Sequence, residues 1–141
     1  MDSRKVLFLI SPTNTVFPFS GLLVKQGFQA WSFQDVSRLV HELRQGNILA
    51  IVIQTSDLQG DERYAYLRRC NHPGLELLKA LLDPESTAFK LTPPITFDPL
   101  RVIVLTDLVD QIGLGIPHEQ IMTKDHATPE TILRLVQKMT T

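Results

Sequence analysis

Four short stretches of this sequence could do chemistry at the end of an apolar run. Ser11-Pro12-Thr13-Asn14 offers hydroxyls and an amide, and Gln54 to Asp57 offers an amide, hydroxyls and one carboxylate. Thr106-Asp107 joins a hydroxyl to an acid, and Lys124-Asp125 joins a cation to one. Hydroxyls and backbone N–H groups ahead of a helix can cradle a phosphate. A carboxylate can accept a phosphoryl group when a metal offsets the charge opposing attack. Other chemistry is not patterned. His41, His72, His118 and His126 lack the i, i+4 spacing and acidic companions of a metal site and read as surface residues. Cys70 has no base partner along the chain and reads as inert.

These groups belong to 141 residues carrying 14 Lys+Arg against 15 Asp+Glu, a formal net charge of -1. That length suits one domain, read here as residues 1–141, and can bury a core without disulfides or metal. The charge balance lacks the basic face of a protein that holds nucleic acid through bulk electrostatics, so no direct nucleic-acid binding is expected. With Cys70 as the only cysteine, a disulfide framework and a multi-Cys zinc site are excluded. No apolar run approaches the roughly 20 residues of a membrane span. A cytoplasmic protein with no membrane contact is the expectation.

Three apolar runs, Val6 to Ile10, Ile48 to Ile53 and Val102 to Leu105, do not alternate, as strands covered on both faces should not. Parallel strands of that kind require crossovers, usually helical. Helices are expected at Phe19 to Gln26 and at Asp35 to Gln45, with Gln34 or Asp35 near the N-cap and Gly46 at the end. Another is expected at Pro73 to Leu82. A terminal helix spans Thr128 to Met139, with Thr128 as N-cap and Pro129 at N1. Phe28 to Phe33 alternates like an edge strand, Gln120 to Thr123 forms a short fifth strand, and Leu108 to Gly113 is a weak helix. Thr55 to Asn71 is irregular. Glu85 to Pro99, with Pro93, Pro94 and Pro99, is a loop expected to make few apolar contacts. The result is a doubly wound (βα)5 α/β domain with a five-stranded parallel sheet, whose ligands would bind beyond the carboxyl ends of the strands.

Taken in order, the chain resembles a receiver domain of two-component response regulators. Pro73-Gly74-Leu75-Glu76-Leu77-Leu78 is similar to the opening of that family's third helix, and Val102-Ile103-Val104-Leu105-Thr106 to its fourth strand with the terminal hydroxyl. Thr123-Lys124 followed by Thr128-Pro129-Glu130 is similar to its last strand, Lys and last helix. The match covers most of the chain, with Glu85 to Pro99 longer than usual. The resemblance implies a receiver-like or flavodoxin-like fold. It also implies a crevice in which an acidic pair holds Mg²⁺, an Asp accepts phosphoryl, and Thr/Ser and Lys contact it.

The departures fall on that crevice. Ser11 and Pro12 stand where the acidic pair belongs, and Gln54 stands at the acceptor position, where an amide cannot form an acyl phosphate. Asp107 replaces a small residue, Asp125 replaces the Pro after Lys124, and Ile121 replaces the aromatic three positions before Lys124. The reading is a degenerate pseudo-receiver with Ser11, Pro12, Gln54, Thr106, Asp107 and Lys124 lining the former site. It would be a non-catalytic signalling module with no metal and no cofactor. Its partners would be proteins, such as a sensor kinase or an output domain. A homodimer or partner face across Leu108–Ile116 and Gln120–Met139 is implied by the resemblance.

Alternatives remain open at this point. Asp57 would be the acceptor if the strand register shifted by three, or else a solvated loop charge like Asp61 and Glu62. The Ser11 to Thr15 loop resembles the hydroxyl-rich phosphate loop of flavodoxins, which would make this a flavin- or ligand-binding domain, although it lacks the glycine of such loops. Lys124 is either a relic of phosphate contact or the ion-pair partner of Asp107. Arg63-Tyr64-Ala65-Tyr66-Leu67-Arg68-Arg69 is the one local basic cluster, fitted to a phosphate-bearing or acidic partner or merely solvated. Trp31 reads as packing on an edge strand.

Overall fold

The computed structural model describes residues 4–10, 17–33, 35–55 and 64–140. Strands β1 (Lys5–Leu9), β2 (Gln29–Phe33), β3 (Ala50–Gln54), β4 (Val102–Leu105) and β5 (Ile121–Met122) form one sheet in the order β2-β1-β3-β4-β5. All its pairings are parallel. The helices are α1 (Phe17–Lys25), α2 (Val36–Gln45), α3 (Ala65–Arg68), α4 (Pro73–Leu82) and α5 (Pro129–Lys138). This strand order, reversing between β1 and β3, is that of a flavodoxin-like α/β fold.

The unbroken apolar runs divide their side chains between two cores. Leu7, Leu9, Ile51, Ile53, Val102 and Val104 pack with Val36, Leu39, Leu77 and Leu81 of α2 and α4. Val6, Phe8, Val52, Ile103 and Leu105 pack on the other face with Leu23 of α1 and Ile132, Leu135 and Val136 of α5. Successive strand residues point to opposite faces, so a strand covered on both sides must be apolar at every position.

Local signals set the helix ends. Asp35 Oδ1 accepts from the Ser37 N–H at 2.8 Å, and Thr128 Oγ1 accepts from the Thr131 N–H at 3.1 Å, each pairing a donor that the first turn leaves free. At the far end of α1, Arg4 donates from Nε to the Gly27 carbonyl (2.9 Å) and from Nη2 to that of Gln26 (3.1 Å), and its guanidinium lies over the Phe28 ring.

Four expectations change. Thr55 to Asn71 is not irregular throughout: it contains α3, whose Leu67 is buried in the α2/α4 core. Leu108 to Gly113 forms no α-helix, only a 3₁₀ turn at Val109–Gln111, because Gly113, Leu114 and Gly115 all take positive φ and turn the chain out of any helix. The β4-to-β5 crossover is therefore made of turns. The fifth strand is Ile121–Met122 alone, and Gln120 sits in a 3₁₀ turn. Its buried side-chain amide donates to the carbonyls of Leu100 (3.1 Å) and Val102 (2.8 Å), bonding the start of β4 where the short strand cannot. Glu85 to Pro99 is not poor in apolar contacts. Phe89 and Leu91 are buried in the α2/α4 core, with Ile95 and Phe97 packed against it, and the Phe97 N–H donates to the Leu81 carbonyl at 3.2 Å.

Candidate functional site

The carboxyl ends of β3, β4 and β5 are joined by hydrogen bonds. Thr55 N–H donates to the Leu105 carbonyl at 3.3 Å, and Thr106 N–H to the Met122 carbonyl at 2.9 Å. Thr55 Oγ1 donates to Thr106 Oγ1 at 2.9 Å, and Thr106 Oγ1 also accepts the Leu108 N–H at 2.9 Å. Gln54, Thr55 and Thr106 are 1%, 3% and 3% exposed. Gly74, at the start of α4, donates its N–H to the Thr55 carbonyl at 2.9 Å, seating the helix directly on the strand end.

Gln54 and Thr106 thus lie on neighbouring strand ends, as the sequence reading placed them. Thr55 lies in the Gln54 to Asp57 stretch but not in the crevice set, although its position right after Gln54 on an apolar strand is the signal that marks it. Asp107 and Lys124 are both exposed, with Lys124 in a 3₁₀ turn at Lys124–His126. Among the described residues no ion pair joins them, so of the two readings of Lys124 the pairing with Asp107 does not hold. The crevice does not enclose these charges, and a pair held in water gains about 1 kcal/mol at most. In the same turn Thr123 Oγ1 and His126 Nδ1 are 2.8 Å apart. Ser11, Pro12, the rest of the Ser11 to Thr15 loop, and Asp57, Asp61, Glu62 and Arg63 lie outside the described residues.

The donor set at the described strand ends is an amide and two hydroxyls, with one solvated carboxylate beside them. Mg²⁺ favours oxygen ligands in an octahedron, commonly anchored by carboxylates, and this set does not fit it. Among the described residues no group of three or more His, Cys, Asp or Glu is placed to hold a metal ion. What the arrangement does chemically is hydrogen-bond three strand ends together through neutral groups.

The remaining candidates are engaged in packing. Tyr64 and Tyr66 meet Phe89, with ring centroids 6.0 and 6.2 Å away, the second pair stacked. The aromatics of the basic cluster therefore contribute to the fold. Trp31, 43% exposed on edge strand β2, lies under the Lys5 ammonium 4.2 Å from its ring centroid. Cys70 donates to the Tyr66 carbonyl at 3.3 Å. Burial, then the charge of Glu76, pushes its thiol above the ordinary range despite the opposing effect of that hydrogen bond and of Arg69 and Lys79, so a reactive thiolate is disfavoured.

The shared acceptor at Thr106 makes an asymmetric prediction. Thr106→Val strands both the Thr55 hydroxyl and the Leu108 N–H and should cost about 2–3 kcal/mol, whereas Thr55→Val leaves Thr106 bonded and should cost about 1 kcal/mol. The double variant should cost less than the sum. Urea unfolding of all three measures this, and equal single costs would exclude Thr106 as the common acceptor.

The fold and strand-end geometry define a flavodoxin-like α/β protein with an all-parallel five-stranded sheet. No protein-family model matches the chain, and no curated protein matches it. No helix among the described residues is long and apolar enough to cross a membrane.

Proposed function

We propose that this chain is a pseudo-receiver: a non-enzymatic cytoplasmic signalling module that acts through protein contacts and needs no phosphorylation. The observation that carries the reading is Gln54. At the end of β3, where the receiver resemblance puts the phosphoacceptor, stands a buried amide that can neither attack phosphorus nor carry an acyl phosphate. The sheet order, Thr106 after β4 and Lys124 after β5 agree with a receiver ancestry. Ser11 and Pro12, in place of acids, agree with its loss of chemistry.

The partner is a protein, a sensor kinase or an output domain. It binds the face that the resemblance implies, the turns of Leu108–Ile116 with β5 and α5 in Gln120–Met139, which also serves a homodimer. A module without a phosphorylation switch must hold this face in its competent state already.

Intact-mass measurement after incubation with acetyl phosphate and Mg²⁺ tests the reading, with sedimentation of the same samples. Mass and association state should both be unchanged. Gain of one phosphate at any crevice residue would overturn the assignment, and gain at Asp57 would restore a working receiver. Flavin absorbance in the purified protein would instead favour a ligand-binding role for the Ser11 to Thr15 loop.

A further inference from the structure

A cleft of about 480 Å³ runs between α2 and the segment that follows the 3₁₀ turn Pro84–Ser86, away from the strand ends. Val40, His41 and Arg44 line it from α2, Lys90 and Leu91 from the facing segment, and Tyr64 from the approach to α3. We propose that this cleft binds a small molecule carrying a phosphate on an apolar or aromatic body, of roughly mononucleotide size. The proposal stands independently of the signalling reading.

Charge is the first argument. Among the described lining residues there are an Arg, a Lys and a His but no carboxylate. The one acid of α2, Glu42, is 2.5 Å from Lys5 and so is turned to a different partner. Lys90 Nζ donates to the Pro84 carbonyl, a neutral acceptor that orients the ammonium without cancelling its charge. The side chains of Arg44 and His41 make no hydrogen bond or ion pair among the described residues. Arg44 in the last turn of α2 would favour the helix dipole in any case. That explanation does not extend to Lys90, which lies on no helix and lines the same space.

Shape and chemistry select the ligand. A guanidinium fork and an ammonium together suit the oxygens of a phosphate, the first bidentate and the second as a point charge. His41 and Arg44, three apart, share one side of α2. Val40, Leu91 and the Tyr64 ring supply the apolar wall that small-molecule sites need beside a few polar groups, and the volume falls within their usual range of about 300–1,000 Å³. Ser37 also borders the cleft, but its Oγ is sealed from solvent with no hydrogen-bond partner among the described residues; it belongs to the wall, not to the donors.

The test is titration of AMP, adenosine and inorganic phosphate into the ¹⁵N-labelled chain, for wild type, Arg44→Gln, Arg44→Gln with Lys90→Gln, and Arg134→Gln. Arg134 is exposed on α5, outside the cleft. AMP should move the amides of residues 37–44 and 89–92 and bind more tightly than either fragment. Arg44→Gln should weaken AMP roughly tenfold, the usual scale for one charge-assisted hydrogen bond, and the double variant further. Arg134→Gln should leave AMP binding unchanged. Arg44→Gln breaks no described contact, so its melting temperature should match wild type, which separates lost binding from lost fold. The proposal is overturned if AMP does not bind at millimolar concentration, if adenosine binds as well as AMP, or if Arg44→Gln leaves AMP binding intact.

Discussion

Gly74→Ala is expected to destabilise the chain by roughly 3 kcal/mol or more, at the severe end for a single added methyl. A Cβ built on Gly74 would stand 2.0 Å from the Gln54 carbonyl oxygen, 2.6 Å from Thr55 Cα and 2.9 Å from the Gln54 carbonyl carbon. All three are backbone atoms of a strand end bonded to its neighbour, so no rotamer change relieves the clash. Relief requires α4 to lift by more than an ångström, which breaks the Gly74 N–H bond to Thr55 and unseats Leu77, Leu78 and Leu81, all buried. Gly21→Ala is the matched control. Gly21 lies inside α1, is exposed, and has nothing within 4 Å of its would-be Cβ. There the alanine should stabilise by about 0.5–1 kcal/mol through helix propensity. Urea midpoints of the two variants should move in opposite directions. A tolerated Gly74→Ala would mean that α4 does not rest on the β3 end as described.

Gly74 also shows where the amino-acid sequence was readable and where it was not. As sequence it was part of a family-like helix opening, and nothing nearby indicates that the backbone of residues 54 and 55 lies against it. Features carried by neighbours along the chain were legible: the three apolar runs, the Asp35 and Thr128 caps, Pro129 at N1, and the reversal at Gly46, which adopts positive φ. Features carried by distant residues were not. Gln120 looked like one more strand residue, but its role is set by carbonyls 18 and 20 positions earlier. The Pro-rich stretch was judged by its prolines, although Phe89, Leu91 and Phe97 were present to anchor it. The pairing reading of Lys124 with Asp107 rests on neighbouring strand ends and a lone cation's need for an anion, and adjacency does not bury a charge. At the strand ends the sequence shows which residues follow each run, while the hydroxyl pair between Thr55 and Thr106, 51 residues apart, requires the sheet.

Gln54→Asp should lose stability as pH rises and should still fail to accept phosphate. The position is 1% exposed and lies at the end of the central strand β3, in register with Leu105 of β4. Thr55 and Thr106, whose hydroxyls join the ends of β3 and β4, are neutral, and Lys124 is exposed on its turn. A carboxylate placed there is desolvated, which raises its folded midpoint above the unfolded value of about 3.9. Below that value the new carboxyl is neutral in both states, and its charge costs nothing. As pH rises the unfolded chain ionises first, so stability falls until the folded carboxyl ionises too and then levels off. Each pH unit of upward displacement removes about 1.4 kcal/mol, so a cost on the order of 3 kcal/mol at neutral pH is expected for a group this buried. Gln54→Glu, nearly isosteric with the native amide, should show the same pH slope and so separate charge from the lost methylene. The phosphoryl chemistry fails for a related reason. One new acid supplies one anion, Ser11 and Pro12 still supply none, and Mg²⁺ is left without its carboxylate anchors. If the pseudo-receiver reading holds, acids at both of those positions together with Gln54→Asp are the minimum for partial recovery, and Asp107→Ala should help by removing a like charge. Unfolding midpoints from pH 4 to pH 8 and intact mass after acetyl phosphate treatment decide both halves. A variant as stable as wild type at neutral pH would disprove the buried setting of residue 54. Phosphorylation of the single variant would show that the crevice still holds the rest of a receiver's machinery.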